Sequence, residues 1–160
     1  MAHVVLLRGA NVGGHNRFRP TELLKKLTDL DVTSHGAAGT FVVRAKIGAA
    51  ALRERFRRAL PFECEIIVVP ARAFARMSPT AGGKPFVTVL ARRPRPAPLP
   101  MHAPSRKEWQ TRIDRVEGRI VLSVWRPRGR RLIYPNEVVE KAFGVPATTR
   151  TWNTIAEALS

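Results

Sequence analysis

The fold is decided near the start of the chain, in residues 3–18, which read HVVLLRGANVGGHNRF. His3–Leu7 is a continuous apolar run, which is typical of a strand buried on both faces. Gly9–Arg19 contains three glycines and two asparagines and predicts a loop. Pro20 stands where a first helical residue often stands. Leucines at helical spacing then predict a helix over Thr21–Leu30 with one face toward a core.

The same patterns continue to residue 70. Asp31–Ser34 and Phe41–Lys46 predict strands, Ala49–Leu60 predicts an amphipathic helix, and Cys64–Val69 predicts another strand. The resulting β-α-β-β-α-β order is typical of the ferredoxin-like plait, in which two helices cover an antiparallel sheet. The expected fold class is therefore α+β, with this plait in the N-terminal half.

The second half is less regular, and we expect it to form a second, smaller α/β lobe. Its predicted elements are a strand over Pro85–Ala91, a proline-rich connector over Arg92–Pro104, mixed structure over Ser105–Val116, a strand over Arg119–Trp125, a basic turn over Arg126–Arg131, an extended run over Leu132–Tyr134, a helix over Asn136–Phe143 with Asn136 as N-cap and Gly144 as stop, and a helix over Thr151–Leu159. The expected lobes are 1–70 and 71–160, with one compact domain as the alternative.

Charge is the outlier of the composition. Among 160 residues, 28 Lys and Arg face 12 Asp and Glu, which gives a formal net charge of +16. Such a field attracts nucleic acid and other polyanions. The alternative is a compositional bias, because a GC-rich genome drifts toward Arg, Ala and Pro codons and gives the same charge without a function.

Cysteine content and hydropathy predict a cytoplasmic location and no membrane partner. A single cysteine, Cys64, excludes an internal disulfide and is natural in a reducing compartment. No segment approaches the roughly 20 apolar residues that a membrane helix needs, and no signal peptide is visible.

Two motifs resemble domain-of-unknown-function family 1697, a bacterial family. Members begin with a strand followed by Arg-Gly-Ile-Asn-Val-Gly-Gly and a basic or polar continuation. Ala10 replaces Ile here, and the matching residues are Arg8, Gly9, Asn11, Val12, Gly13, Gly14 and, in the continuation, Asn16. The closing GVPATTRTWNTI is similar to the family's Ala-Thr-Thr-Arg-Asn-Trp-Asn-Thr. The matching residues include Thr148, Thr149, Arg150 and Trp152. The resemblance implies two small α/β lobes and no agreed reaction.

The chain departs from the family pattern at two places. Ala38-Gly39-Thr40 stands where members usually carry Ser-Gly-Asn, and residues 134–138 stand where members carry Gly-x-x-Ser-Lys-Leu. If those polar residues serve a shared activity, this chain lacks it.

The loop GANVGG also satisfies the spacing of a phosphate-binding loop, but its chemistry does not. A phosphate-binding loop needs Lys, to reach the phosphates, and then Ser or Thr, to hold magnesium, directly after the glycine that closes the motif. Here Gly14 is followed by His15 and Asn16. The helix start near Pro20 is also several residues too late to cradle a phosphate. The sequence therefore argues against nucleotide hydrolysis.

A weaker hypothesis is an anion-binding loop, because exposed amides of a glycine loop can form an anion-binding concavity. The candidate residues are Arg8, Gly13, Gly14, His15 and Arg17, with further charge from Arg19. The alternative is that the glycines only permit a left-handed turn and that Asn11 and Asn16 hydrogen-bond it.

The sequence contains features that argue for and against nucleic-acid binding. The predicted central strands of the N-terminal half hold only Phe41 as an aromatic, so an RNA-recognition stacking platform is missing there. Basic clusters remain at Arg53–Arg58 and Arg92–Arg95, and the second candidate patch, after the glycine loop, is a predicted hairpin tip. That patch consists of Arg126, Arg128, Arg130 and Arg131.

No catalytic constellation is visible, so whether the protein is an enzyme stays open. The four histidines are scattered and predict no metal site, and no motif predicts a cofactor. Thr148–Trp152 is interpreted as a cap and anchor for the last helix, with ligand binding as the alternative. Three functions remain: an anion or nucleic-acid binder, an enzyme with a site near the glycine loop, or a protein-interaction module.

Overall fold

The computed structural model describes residues 2–160, which form a mixed α/β protein with four helices and two antiparallel sheets. They divide into two compact units, residues 2–75 with 156–160 and residues 76–155. The elements in chain order are β1 His3–Leu7, α1 Pro20–Lys25, β2 Val32–Ser34, β3 Thr40–Val43, α2 Ala49–Ala59, β4 Ile66–Pro70, β5 Lys84–Leu90, β6 Met101–Ala103, β7 Thr111–Glu117, β8 Ile120–Trp125, α3 Pro135–Phe143, β9 Ala147–Thr151 and α4 Trp152–Leu159.

The first unit is built on a four-stranded antiparallel sheet in the order β2-β3-β1-β4. Apolar side chains from one face of this sheet share a core with residues of α1 and α2. Phe41 of β3 and Phe56 of α2 lie at its centre, with ring centroids 5.2 Å apart. The central strand β1 is buried on both faces, as its unbroken apolar run predicts.

The predicted helix over Thr21–Leu30 is wrong in its second half. The α-helix ends at Lys25, and a 3₁₀ turn follows over Thr28–Leu30. Leu27 donates its amide to Leu24 O at 3.1 Å, and Leu30 donates to Leu27 O at 3.0 Å. These i→i−3 bonds tighten the backbone, while Leu23, Leu27 and Leu30 all stay buried.

The second unit is built on a five-stranded antiparallel sheet in the order β6-β7-β8-β5-β9. Helix α3 packs on one face, where Val138 and Val139 join Leu90, Ile113 and Val121 in a core. Gly144 ends α3 in the left-handed region, with φ of 64°, as the sequence predicts.

Three predictions for the second half are corrected. The connector over Arg92–Pro104 contains strand β6, because Met101–Ala103 lies between prolines and has free donors for pairing with β7. Leu132–Tyr134 forms no strand, so Arg126–Arg131 is a connection from β8 to α3 and not a hairpin tip. Asn136 lies inside α3, and Tyr134 occupies the N-cap position.

Candidate anion-binding site

The glycine loop of the first unit is a miniature hairpin. Val12 and His15 form an isolated antiparallel bridge, and the His15 amide donates to Val12 O at 2.9 Å. The two residues between them, Gly13 and Gly14, have φ of 57° and 80°. Positive φ at both central positions is what the tightest hairpin turns demand, so the glycines serve the turn.

Two asparagines hold this hairpin in place. Asn11 accepts a hydrogen bond from the Phe18 amide at 2.9 Å and donates to Phe18 O at 3.2 Å and to Ala37 O at 2.7 Å. Asn16 donates to Gly9 O at 3.3 Å. Both asparagines have positive φ, near 50°. The interpretation of Asn11 and Asn16 as turn-forming residues therefore agrees with their contacts.

A cleft of about 550 Å³ lies beside the hairpin, lined by Asn11, Gly14, Arg17, Phe18 and Arg19. Phe18 is half-buried and packs against Phe41 and Phe62, with ring centroids 6.4 and 5.9 Å away. Arg17 and Arg19 flank it in sequence and are exposed. The cleft thus has an aromatic wall and two guanidiniums, and none of its lining residues is acidic.

Only two of the five predicted anion-binding residues line the cleft. Gly14 and Arg17 line it, whereas Arg8, Gly13 and His15 are exposed and do not. The sequence interpretation missed Phe18. Its signal was the triplet Arg17-Phe18-Arg19, in which an aromatic residue stands between two cations.

The second predicted patch loses one member. Arg126 stacks on the Trp109 ring, 3.7 Å from its centroid, and its Nε donates to Trp109 O at 2.9 Å. Its guanidinium is therefore committed to packing within the second unit. Arg128, Arg130 and Arg131 are exposed.

The basic cluster of α2 is partly neutralised by two carboxylates. Arg57 and Arg58 both bond to Glu54, and their guanidiniums lower the pKa of that carboxyl to about 2. Arg55 makes a two-bond contact with Asp29 at 2.7 and 2.9 Å. This surface has less free positive charge than its sequence suggests.

The closing motif serves the second unit internally. Thr149 of β9 donates to Asn136 Oδ1 at 2.8 Å and lies 2.7 Å from the Thr88 hydroxyl. Arg150 is buried and donates to Thr148 Oγ1 at 2.5 Å and to Thr149 O at 3.0 Å. Burial lowers the pKa of Arg150 to about 10, so the side chain is still charged at neutral pH.

The cap-and-anchor interpretation of this motif is corrected in part. Thr148 and Thr149 lie in strand β9, and Thr151 is the residue whose Oγ1 accepts the Thr154 amide, at 3.3 Å. Trp152 is half-buried, and Leu159, predicted on the inner face of the last helix, is 38% exposed.

Other reactive groups offer no competing site in the part of the chain described. Burial raises the pKa of the Cys64 thiol, which disfavours a nucleophilic thiolate. Across residues 2–160, no three His, Cys, Asp or Glu side chains come together as metal ligands. None of the helices over the same residues is long and apolar enough to cross a membrane.

These features define a mixed α/β protein with two antiparallel sheets and a basic cleft beside a glycine hairpin. A family profile described as protein of unknown function (DUF1697) matches residues 1–106, so the chain belongs to this family. The matched residues include the opening motif and end before the closing motif, whose kinship stays a prediction.

A solved structure has the same fold. It is that of the conserved bacterial protein SP0830 from Streptococcus pneumoniae, with a TM-score of 0.58 and 14% sequence identity. The similarity covers 99% of this chain and 96% of that one. No curated protein sequence matches the chain.

Proposed function

We propose that this protein binds a phosphate-bearing ligand in the cleft beside the glycine hairpin. The observation that carries the proposal is the composition of the cleft: two exposed arginines flank Phe18, and no carboxylate lies among the lining residues. A guanidinium presents donors in a fork that matches phosphate oxygens, and such charge-assisted bonds are stronger than neutral ones. The volume of about 550 Å³ is in the range of small-molecule sites.

The hairpin supports the proposal by placing its backbone beside the cleft. A Cβ at position 14 would be in van der Waals contact with Arg17 Nη2, at 3.5 Å, so Gly14 lies directly beside that guanidinium. The Asn11 clamp fixes the backbone of Phe18, the residue between the two cations. Binding therefore needs little ordering of the backbone, which lowers its entropic cost.

We further propose a fold for the lobe that holds this site, a location in the cell and a class of competing ligands. The order β2-β3-β1-β4, with α1 and α2 contributing to one core, supports a ferredoxin-like plait within a lobe of residues 1–70, and residues 71–160 are then the second lobe. The single cysteine supports a cytoplasmic location. The net charge of +16 supports polyanions as competing ligands.

Isothermal titration calorimetry with pyrophosphate tests the proposal. The double variant Arg17→Ala/Arg19→Ala should weaken binding by roughly 10- to 100-fold, because each charge-assisted bond contributes about 1.5–3 kcal/mol and part of that is screened. Inorganic phosphate, with fewer oxygens, should bind more weakly than pyrophosphate in the unchanged protein.

A matched control is Lys46→Ala/Arg72→Ala, which removes the same charge. Both residues are exposed and follow the ends of β3 and β4 that pair with His3, at the opposite end of the sheet from the loop. Equal loss of affinity in both double variants would mean that only net charge matters, and would overturn the cleft as the site.

A further inference from the structure

An aromatic stack lies on the surface of the second unit, assembled from three distant segments. Phe86 comes from β5, Trp125 from the end of β8, and Tyr134 from the residue before α3. The Tyr134 and Trp125 rings stack with centroids 5.2 Å apart and planes 28° apart. Phe86 meets Trp125 edge-on at 5.9 Å. Tyr134 is 50% exposed, so part of its side chain stays accessible to solvent although one ring face meets Trp125.

The backbone that carries Tyr134 is held by side chains from other segments. Gln110 donates to Arg131 O at 2.9 Å and accepts the Ile133 amide at 3.0 Å. Ile133 O accepts bonds from Trp125 Nε1 at 2.8 Å and from the Thr111 hydroxyl at 3.2 Å. The exposed ring is therefore presented from a fixed position although it lies in a connection without regular structure.

Cations lie close to this stack in the sheet and along the chain. Lys84 faces Trp125 in the sheet, and its ammonium lies 5.6 Å from the centre of the Phe86 ring. Arg128, Arg130 and Arg131 are exposed in the connection that leads from Trp125 to Tyr134. The acidic residue at this end of α3 is Glu137, whose carboxylate accepts the Tyr134 amide at 3.1 Å. Among these residues, positive charge exceeds negative charge.

We propose that this surface, formed by Phe86, Trp125 and Tyr134 with Arg128, Arg130 and Arg131, binds single-stranded nucleic acid. A base stacks on the accessible part of Tyr134, and the arginines contact the neighbouring phosphates. Flat aromatic rings interleaved with cations are the means by which proteins bind single strands without sequence preference. An acidic peptide would use the arginines but would leave the ring without a stacking partner.

The test measures fluorescence anisotropy of a labelled dodecamer of thymidylate, with an abasic dodecamer of the same length as the second probe. Tyr134→Ala should weaken binding of the thymidylate by roughly 5- to 150-fold, the range for loss of one stacked base. It should leave the abasic probe unchanged within about twofold. Tyr134→Phe keeps the ring and should restore affinity. Circular dichroism checks that each variant is folded.

The phosphate contacts are tested by salt dependence. Arg128→Ala/Arg130→Ala should reduce the slope of log K against log salt by about 1.4, because each single-strand phosphate contact contributes about 0.7. The control is Lys46→Ala/Arg72→Ala, which removes the same charge from exposed residues of the first unit. That pair should leave the slope nearly unchanged.

Three results would overturn the proposal. They are an unchanged thymidylate affinity in Tyr134→Ala, an equal loss for both dodecamers, and polyglutamate that displaces thymidylate as well as an unlabelled dodecamer does. The Arg17→Ala/Arg19→Ala variant should bind thymidylate normally. This outcome separates the surface from the proposed pyrophosphate cleft, whose failure would leave the present proposal standing.

Discussion

The two basic connections of this protein, residues 8–19 and 126–134, both join a strand to a helix, but different kinds of hydrogen bonds hold them in place. Each leads from a strand to a helix that begins with proline, Pro20 or Pro135. The first is held mainly by its own residues, since Asn11 bonds Phe18 and Asn16 bonds Gly9, with one further bond from Asn11 to Ala37 O. The second is held by Gln110 and Thr111 of a preceding segment and by Trp125.

This difference decides which side chains remain free at each place. In the first connection small polar residues do the holding, and Arg17 and Arg19 are left exposed beside a cleft. In the second, Arg126 is used for packing on Trp109, and an aromatic ring is left exposed beside three arginines. A basic sequence therefore yields a pocket in one unit and a stacking surface in the other.

The largest effect should come from breaking the first connection at its own clamp. Asn11→Ala removes three hydrogen bonds and places alanine at a φ of 54°, so we expect a loss of about 2–4 kcal/mol. Exchange of the Phe18 amide should accelerate strongly, and urea unfolding gives the free energy. Asn16→Ala has the same φ penalty, at 49°, but loses only one longer bond, so it should cost about 1–2 kcal/mol. Equal effects of the two substitutions would contradict the clamp.

The corresponding change in the second connection is Gln110→Ala. Gln110 is 6% exposed, and its removal leaves the Ile133 amide and Arg131 O without their partner, which should cost about 2–3 kcal/mol. Exchange of the Ile133 amide should accelerate while that of Phe18 stays constant. Gln110→Glu keeps the acceptor for Ile133 but sets a buried carboxylate oxygen against Arg131 O, so it should not restore stability at neutral pH. Faster exchange at Phe18 in Gln110→Ala would show that the connections are not independent.

A smaller effect separates the packed arginine from the exposed ones. Arg126→Ala removes a cation–π contact and a hydrogen bond to Trp109 O, so it should cost about 1–2 kcal/mol in urea unfolding. Arg128→Ala is the matched control and should change stability by less than about 0.5 kcal/mol, as expected for an exposed side chain. Equal costs would mean that Arg126 is not committed to packing.

The smallest effect concerns the basic cluster that carboxylates partly neutralise. Arg57 and Arg58 lower the pKa of Glu54 from 4.5 to about 2, so its contribution to stability is complete above pH 4.5 and is lost as the pH falls toward 2. Thermal unfolding between pH 2 and 6 should show a slightly shallower acid loss in Glu54→Gln than in the unchanged chain. An identical pH profile would show that these exposed ion pairs are not formed in solution.

Most of the secondary structure was predictable because its signals are local. The apolar run His3–Leu7, the helix stop at Gly144 and the β-α-β-β-α-β order of the first 70 residues are all observed. One error fell where side chains replaced backbone partners. Leu132–Tyr134 has a strand-like sequence, but Gln110, Thr111 and Trp125 satisfy its backbone, so it pairs with no strand.

The candidate sites were predictable only in part. Glycines and asparagines at positions 9–16 predict a turn because these residues readily adopt positive φ. Arg17 was a candidate anion-binding residue because it follows them in the sequence, and it lines the cleft. Phe18 was missed because its role depends on Phe41 and Phe62, which are distant in sequence. The sequence predicted no platform for stacking bases in the first unit, because its predicted central strands hold a single aromatic residue.

The sequence by itself determined the hairpin, because positive φ at Gly13 and Gly14 and the bonds between Asn11 and Phe18 are properties of residues near one another in the chain. Only the tertiary structure decided which arginines are free and which aromatic rings meet. Arg126 is withdrawn by Trp109, and Tyr134 gains Trp125 and Phe86 as neighbours through strand pairing. Composition counts charges and rings, whereas packing between distant segments determines which of them reach the surface together.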